Sequence, residues 1–499
     1  MAFTQVIKTL GSVMASMKTA VDSWLSANIT NPSNPPLDRS LSLSNACAPA
    51  DMVGDLRNEI GNNVVYVSNS GNDNNTGDVD HPVATVNKAL EKGATRILIS
   101  SGDYRQQIDL SKSRTGKVEI LKASESGNVY FRPTSIQICA TETKEDNYTK
   151  VYSAPITVTL AVNNKWLFQR NMPDLSTTIS NTERMPQQRG YTYRLPSTII
   201  RKCTSTTLAN ALNEIDNATD YRFYIDNGTI YFSRPTPVNG TTPIAYSPGT
   251  KLFLNNSIKN TIIMTGIKTE YMQINIDYTT NSVLTDCSAV FVYGNGAISY
   301  DYALNATFIR CEGAGCVNGT TGDGINGHGK TGGIVSNYKT TAKLFDCWCH
   351  DNNDDGFSDH DYCESEIYGG LFEYNEKAGV TPSYGSHCVC IGVYSRKNYN
   401  GYYYTGASND GGVYGQLECI NCIAEENTGG TSQNNAGFLV DSNGNKLILC
   451  NCKSINNNIG YYATSSASMK LIDCGSYGDT TPKAGGGTRT IIKTETIVP

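Results

Sequence analysis

A repeat of 22 to 36 residues runs through the second half of the chain and restricts the fold more than any other feature. One column of the repeat is expected to point inward from a strand, and it reads Cys287, Cys311, Cys347, Gly370, Gly392, Cys422, Cys450 and Cys474. A second column consists of glycines: Gly296, Gly324, Gly356, Gly379, Gly401, Gly437 and Gly460. Units of this length cannot bury a core alone, so they stack as successive coils of one solenoid.

The residue types of the repeat favour strands over helices. Small residues at the inner positions, β-branched or aromatic neighbours and asparagines at turns suit a β-solenoid. The expected turn asparagines are Asn353, Asn375, Asn398, Asn427 and Asn456. A leucine-rich repeat has a similar period, but the sequence lacks its leucine consensus and its helical half. We therefore predict an all-β chain whose main body is a parallel β-helix.

The sixteen cysteines follow the same repeat. In a large chain with this periodicity we predict reduced, inward thiols that pack as small apolar side chains, rather than disulfides. A zinc site is the alternative, because Cys419 and Cys422 form a C-x-x-C pair. The C-x-C pairs need no metal, because alternate residues of a strand share one face. These pairs are Cys347/Cys349, Cys388/Cys390 and Cys450/Cys452.

The chain before residue 63 has a different pattern. An unbroken 4-3 spacing of apolar residues, typical of a coiled coil, joins Phe3, Ile7, Leu10, Met14, Met17, Val21 and Trp24. The Pro- and Asn-rich stretch NPSNPPLDRS follows, and a short helix is expected around residues 50–60. We predict that residues 1–62 are a helical attachment and oligomerisation segment with a linker. A single amphipathic helix lying on its own domain would show the same stripe.

The next segment combines a strand, a helix and a second strand. VVYVS leads through an Asn/Gly loop to an amphipathic helix at residues 84–91 and then to RILIS. This order resembles the entry of the right-handed parallel β-helix proteins of the pectate lyase superfamily, in which a short helix caps the solenoid core. The resemblance implies a capping helix and first coils over residues 63–132.

The remaining boundaries follow from where the period fades and returns. Between residues 133 and 265 hairpin patterns replace the repeat, with a turn at Asp226-Asn227-Gly228, so we predict an inserted antiparallel β-module beside the groove. Coils that carry a glycan groove are expected over residues 266–478. A tail is expected over residues 479–499.

Overall charge excludes some partners. The net charge of -6 offers no basic surface for phosphate, so we expect no nucleic-acid partner. The sequence has no apolar run of 18 residues and no signal-peptide pattern, so we expect neither a membrane span nor export by the usual secretory route.

One charged stretch, HDNNDDGFSDHDYCESE at residues 350–366, contains seven acidic residues and no Lys or Arg. The glycine column aligns DGINGH at residues 323–328 with DGFSDH at residues 355–360. In this register Asp323 lies beside Asp355, and His328 beside His360, at the strand spacing of about 4.8 Å. Close like charges shift pKa values, which is typical of functional sites.

The same coils supply the candidate site residues. As catalytic groups we predict Asp323, His328, Asp354, Asp355, His360 and Lys377. As substrate-binding groups we predict Asn326, Ser358, Asp359, Thr381, His387, Tyr403 and Tyr462. Tyr402 and Tyr461 are expected inside the core, whereas Tyr403 and Tyr462 are expected outside as a platform for sugar rings. We assign no metal ligands, and Ca²⁺ is the cofactor that the cluster could take.

Several chemistries use such residues. A carboxylic acid and a carboxylate about 5 Å apart suit retaining glycoside hydrolysis, and a wider pair suits inversion. A carboxylate cluster with Ca²⁺ or a nearby base suits β-elimination of a uronate. Two structural interpretations remain, because turn carboxylates cap backbone N–H groups and a bound Ca²⁺ can simply stiffen a coil.

Together, the N-terminal stripe, the linker and the helix-capped solenoid resemble bacteriophage tailspikes and tail-fibre depolymerases. The resemblance implies a homotrimer in the virion tail, made in the host cytoplasm, that binds other tail proteins through its N-terminus. It also implies binding and cleavage of a host cell-surface polysaccharide. A non-catalytic glycan-binding spike and a free bacterial polysaccharide lyase or hydrolase are the alternatives.

Overall fold

The computed structural model describes most of the chain from residue 56 to residue 492. The described range excludes residues 125, 134–136, 140–142, 156–165, 170–198, 220, 234–243, 246–248, 319–320, 330–338, 407–414, 429–434, 443 and 465. The predicted coiled-coil stripe and residues 493–499 of the predicted tail lie outside the described residues.

Three long parallel sheets form a right-handed parallel β-helix, as the sequence predicted. The first sheet consists of Val64–Val67, Arg96–Ile99, Lys117–Lys122, Thr261–Thr265, Asn281–Thr285, Asn305–Ile309, Thr341–Phe345, Glu364–Tyr368, His387–Ile391, Gln416–Ile420, Lys446–Cys450, Ser468–Ile472 and Thr488–Ile492. The second consists of Gly102–Tyr104, Val129–Phe131, Ile267–Glu270, Ser288–Val290, Glu312–Ala314, Trp348–His350, Leu371–Glu373, Tyr394–Arg396, Ile423–Glu425, Lys453–Ile455 and Gly475–Tyr477. The third consists of Thr250–Lys251, Met272–Asn275, Gly296–Ser299, Asp323–His328, Phe357–His360, Ala378–Pro382, Asn400–Tyr404, Ala436–Val440, Ile459–Ala463 and Thr481–Ala484.

A separate, largely antiparallel sheet interrupts the coils between the second and third sheets. It consists of Gln137–Cys139, Thr143–Lys144, Tyr152–Pro155, Trp166–Gln169, Ile199–Lys202, Tyr221–Asp226, Thr229–Phe232 and Ile244–Ala245. The hairpin turn at Asn227 and Gly228 has positive φ at both residues, as a tight type I′ turn requires. Outside this sheet, Ile108–Asp109 pairs with Phe253–Leu254.

The helices are short. They are Val86–Glu91, the 3₁₀ turn Leu110–Lys112 and Leu208–Asn217, and residues 56–60 are also helical. Val86, Ala89 and Leu90 are buried in the main core, which confirms the predicted capping helix. No helix among the described residues is long and apolar enough to cross a membrane.

Inward side chains of successive coils stack to form one core. The strand register places Leu284, Phe308, Leu344, Ile367, Cys390, Cys419, Leu449 and Leu471 in one column. The predicted cysteine column, which begins the next strand, had Gly392 and Cys450 at two positions. In the observed strand register Val393 and Cys452 occupy these two positions instead, because the turns of successive coils differ in length. Cys450 therefore lies outward and is partly exposed, whereas the other described cysteines are buried, and all are unbridged.

The glycine column exists because the backbones of successive coils approach each other closely at these positions. A Cβ atom added at Gly356 would lie 2.6 Å from the carbonyl oxygen of Gly379, and one at Gly324 would lie 2.5 Å from that of Gly356. Only glycine allows coils to approach this closely. Gly296 does not belong to this column, because it pairs with Asp323 rather than with Gly324.

A buried asparagine ladder forms the turn that leads to the third sheet. The Nδ2 atom of Asn375 donates to Oδ1 of Asn398 at 2.9 Å, and similar bonds join each neighbouring pair. The ladder consists of Asn352, Asn375, Asn398, Asn427 and Asn457. In the ladder, Asn352 therefore takes the place predicted for Asn353, and Asn457 takes the place predicted for Asn456. Each buried amide is satisfied by the next coil, which holds the third sheet in register.

Candidate functional site

Three carboxyl groups meet where two neighbouring strands of the third sheet begin. Asp323 opens one strand, and Asp354 and Asp355 precede the next. One carboxylate oxygen from each of them lies within 4.8 Å of the other two. We call Asp323, Asp354 and Asp355 the acidic cluster. On the following coil, the Nζ atom of Lys377 lies 3.2 Å from Asp354 Oδ1 and 3.5 Å from Asp355 Oδ2.

The cluster is largely buried. Asp355 is 1 % exposed and Asp354 is 9 % exposed, whereas the Lys377 side chain is 33 % exposed. The groups that a substrate meets first are therefore Lys377 and Asp354. Asp355 lies beneath them.

Backbone capping accounts for part of this arrangement, but not for its charge. Asp323 Oδ1 accepts the N–H of Asp355 at 2.9 Å, and Asp355 Oδ1 accepts the N–H of Ala378 at 2.9 Å. Farther along the same column, Asn400 Oδ1 accepts the N–H of Ala436 at 2.9 Å. A neutral amide thus makes the same bond. Capping alone therefore does not require carboxyl groups at Asp323 and Asp355.

The protonation states within the cluster are strongly shifted. Burial, reinforced by the charge of Asp355, raises the pKa of Asp354 to about 8. Burial also raises the pKa of Asp323 well above its usual range, with the charge of Asp355 adding to it. Burial raises the pKa of Asp355, and the positive charge of Lys377 opposes this rise. Conversely, the two carboxylates, Asp355 foremost, raise the pKa of Lys377. At neutral pH Asp354 therefore holds its proton, and the positive charge of Lys377 favours the ionised form of the neighbouring Asp355.

Two stacked imidazoles lie at the other end of the same strands. The rings of His328 and His360 are 4.8 Å apart and nearly parallel, at 16°, as the predicted register requires. His360 Nε2 contacts Ser358 Oγ at 2.7 Å, and its Nδ1 contacts Ser383 Oγ at 2.6 Å. Burial lowers the pKa of His360 to about 3, so this ring is neutral.

His328 behaves differently because of one carboxylate. Its Nδ1 atom lies 2.9 Å from Asp301 Oδ1. Burial opposes the charged form, but the hydrogen bond and charge of Asp301 outweigh it and raise the pKa of His328. The two stacked rings therefore have opposite protonation preferences.

The sequence did not point us to Asp301 or to its neighbours Asp277 and Lys251. Lys251 Nζ lies 2.9 Å from Asp277 Oδ2, and Asp277 Oδ1 accepts the N–H of Asp301 at 3.1 Å. A signal existed, because the dipeptide Asp-Tyr recurs at residues 277–278 and 301–302, one repeat apart. Tyr278 and Tyr302 stack at 4.9 Å and 20°, and Tyr278 is 49 % exposed.

Two predicted binding residues do not join the cluster. Asp359 points into the core, is completely buried and accepts a hydrogen bond from Tyr300. It occupies the inward column with Gly327, where a Cβ atom would collide with the Tyr300 ring. Burial raises the pKa of Asp359 to about 6. His387 begins a strand of the first sheet, and its Nε2 lies 3.1 Å from Glu418 Oε1.

The tyrosine platform is also not formed as predicted. Tyr402 and Tyr461 are inward and stack on Phe438 between them, which agrees with their predicted place in the core. Tyr403 is outward but only 4 % exposed, because it packs with Ala378, Ala436, Leu439 and the partly buried Tyr462. Tyr403 therefore offers no open ring face.

Small polar residues separate the acidic cluster from the histidines. Asn326, Ser358 and Thr381 occupy one outward column and are buried between the two groups. Asn326 Nδ2 donates to Asp323 Oδ2 at 2.8 Å. These three predicted binding residues therefore lie beside the cluster.

The donor set of the cluster also fits a divalent cation in part. Three hard oxygens within 4.8 Å of one another suit Ca²⁺, whose oxygen ligands lie at about 2.3–2.6 Å. Asp323, Asp354 and Asp355 would hold it. Lys377, however, already neutralises two of these carboxylates, so a cation would have to displace its ammonium group.

No family model and no curated protein matches this sequence. Solved structures of similar shape include a complex of XylC with xylose, at 11% identity and a TM-score of 0.49, covering 83% of this chain and 69% of that one. Pectate lyase Pel9A is similar at 11% identity and a TM-score of 0.37, covering 87% and 78%. The tailspike protein gp49 from Pseudomonas phage LKA1 is similar at 10% identity and a TM-score of 0.27, covering 82% and 71%. The class is that of parallel β-helix proteins, and this assignment rests on the sheet topology of the chain itself.

Proposed function

We propose that the chain hydrolyses a polysaccharide at the acidic cluster. The observation that carries this proposal is the pair of Asp354 and Asp355, which each place a carboxyl oxygen within 4.8 Å of the other and beside the Lys377 ammonium group. Glycoside hydrolysis requires this pair, because one carboxyl group protonates the leaving oxygen while the other stabilises or attacks the anomeric carbon.

The geometry suggests a role for each group. Asp354, the more exposed acid with a pKa of about 8, would donate its proton to the glycosidic oxygen at neutral pH. Asp355, paired with Lys377, would serve as the carboxylate. The short separation favours the retaining arrangement, since inverting pairs lie about 6.5–9.5 Å apart.

β-Elimination of a uronate is the second candidate, because the three oxygens could hold Ca²⁺. In that case Ca²⁺ would neutralise the sugar carboxylate, and cleavage would stop when a chelator removes the ion. The products differ as well, because elimination creates an unsaturated sugar that absorbs ultraviolet light, whereas hydrolysis creates only a reducing end.

The experiment incubates the full chain with purified bacterial surface polysaccharides and measures new reducing ends and ultraviolet absorbance. The test variant is Asp354→Asn. The matched control is Asp441→Asn, which lies on the same sheet three coils away and caps the N–H of Ser442. New reducing ends without new ultraviolet absorbance, which the test variant loses and the control retains, support hydrolysis at the cluster. Binding of a polysaccharide without new ends would favour the non-catalytic spike.

We further propose that the protein acts as a homotrimeric tailspike in a virion, held by its N-terminal segment. The apolar stripe of residues 1–30 supports this proposal, as does the solenoid fold. Light scattering should compare the full chain with a form that lacks residues 1–30. This form keeps Leu56 and Ile60, which pack against the first sheet. A trimer that becomes a monomer supports the role of the stripe, and equal monomeric masses would contradict it.

A further inference from the structure

Two tyrosines lie just beyond successive strands of the third sheet, away from the acidic cluster. Tyr278 follows Met272–Asn275, and Tyr302 follows Gly296–Ser299. Their rings stack at 4.9 Å and 20°, and we call them the tyrosine pair. Tyr278 is the only exposed Phe, Tyr or Trp side chain among the described residues. Because Tyr302 covers one face of this ring, the opposite face is the one that is open to solvent.

A carboxylate oxygen lies free beside the tyrosine pair. Asp301 precedes Tyr302 in the chain. Its Oδ1 atom accepts the backbone N–H of His328 and contacts the Nδ1 atom of the same residue, both at 2.9 Å. Among the described residues no hydrogen bond uses the Oδ2 atom of Asp301, whose side chain is 27 % exposed. One oxygen therefore fixes the carboxylate, and the other is available to a ligand.

An open ring face next to a free acceptor matches the chemistry of a sugar. A pyranose has C–H bonds that pack on an aromatic ring, and its hydroxyl groups donate hydrogen bonds to a carboxylate. The ring supplies apolar contact, whereas the carboxylate fixes the orientation of the bound unit. Neither contact requires a charge on the sugar.

The tyrosine pair lies at the opposite end of the strands from the acidic cluster. Strand pairing aligns Tyr302 with Gly329, which follows the Asp323–His328 strand. At about 3.3 Å per strand residue, the pair is on the order of 20 Å from the cluster. His328 lies between the two places and is 29 % exposed. A polymer that reached both would cross the third sheet along its strands.

We propose that Tyr278, Tyr302 and Asp301 form a second subsite, which binds a pyranose unit of the polysaccharide several units away from the acidic cluster. The inference rests on the proposed function for the identity of its ligand. The bound unit stacks its C–H face on Tyr278 and donates a hydroxyl group to Asp301. These residues do not touch the reacting atoms, so their contribution is to hold the polymer, which lowers KM.

The backbone allows a variant that removes the ring without straining the turn. Tyr278 has a φ of 60°, which residues with a Cβ atom rarely adopt. Strand pairing aligns this position with Gly406 and Ser442 of later coils, whose φ values are 76° and 73°. Glycine therefore fits the turn, and Tyr278→Gly should change the melting temperature by less than about 2 °C. Ser442→Gly is the matched control, because it makes the same backbone change and removes no ring.

The test measures binding of the full chain to fluorescently labelled, purified bacterial surface polysaccharides. All variants also carry Asp354→Asn, so that the polymer stays intact. We expect Tyr278→Gly to weaken the Kd about tenfold, and Ser442→Gly to leave it within about twofold. Tyr278→Phe should restore the affinity that Tyr278→Gly loses, because the ring is retained. Unchanged affinity in Tyr278→Gly overturns the inference, while the proposed hydrolysis at the cluster stands.

Kinetics on a cleaved polymer provide the second measurement, with Asp354 intact. The loss in Tyr278→Gly should appear in KM rather than in kcat, because the subsite binds substrate and transition state alike. A loss confined to kcat would contradict a remote subsite. Binding that depends on Tyr278 without any cleavage would support the subsite and refute the hydrolysis. If the full chain binds no polysaccharide, the inference and the proposed function both fail.

Discussion

Replacing Lys377 with methionine removes the only cation that contacts the acidic cluster among the described residues. Its Nζ atom lies 3.2 Å from Asp354 and 3.5 Å from Asp355, which is almost fully buried. Breaking a buried ion pair from one side costs about 3–5 kcal/mol, because a buried charge stays uncompensated. Since the Lys377 side chain is 33 % exposed, solvent reduces this cost, and we expect about 2–3 kcal/mol near pH 9.

The loss should be smaller at pH 5. The pKa of Asp354 in the folded protein, about 8, lies above its ordinary value of 3.8. The protonated group therefore stabilises the folded state at low pH, and this stabilisation is lost as the pH rises between these two values. At pH 5 Asp354 is protonated and only Asp355 loses its counter-ion, so we expect Lys377→Met to cost less than at pH 9, about 1–2 kcal/mol. Without the lysine the pKa of Asp354 rises further, and the ionised form becomes more costly.

Calorimetric melting temperatures at pH 5 and pH 9 would measure this difference. Lys397→Met is the matched control, because its partner Glu426 is exposed and lies 3.6 Å away. An exposed pair contributes about 0–1 kcal/mol, so this control should change little at either pH. Equal losses for Lys377→Met at both pH values, or a loss no larger than the control, would refute the assigned charges.

Two further predictions concern protonation and thiols. The cleavage rate should fall about tenfold per pH unit above about pH 8, because Asp354 then loses the proton that it donates; a rate that stays constant to pH 10 would exclude it as the acid. All sixteen cysteines should react with a thiol reagent after denaturation without reductant. The described ones are unbridged, and a count near zero would contradict the reduced state.

The sequence was sufficient to predict the solenoid and the register of its central coils. The Asp323–His328 strand pairs with Phe357–His360 as the glycine column indicated, because the close approach at Gly324 and Gly356 excludes any side chain there. Such a steric requirement is visible in the sequence as glycine at equivalent positions of successive coils. The acidic cluster and the histidine pair followed directly from that register.

Other positions could not be predicted, because turn lengths vary between coils. A shift of one residue in a strand exchanges its inward and outward faces, and one or two extra residues in the preceding turn displace a whole column. Cys450 and Gly392 were misplaced in this way. Asp359 was assigned to the groove although the strand alternation turns it inward, and burial of Tyr403 depends on Leu439 from a different coil.

The most direct test of a working site is Asp355→Asn. The amide can keep the bond to the Ala378 N–H, as Asn400 does for Ala436, so the fold should be preserved while the negative charge is lost. Measured on a polysaccharide that the full chain cleaves, the variant should lose about 10²-fold or more of its activity, with the melting temperature unchanged within about 2 °C. Full activity would show that the carboxylate only caps the turn. Loss of the folded state would show that its charge is structural.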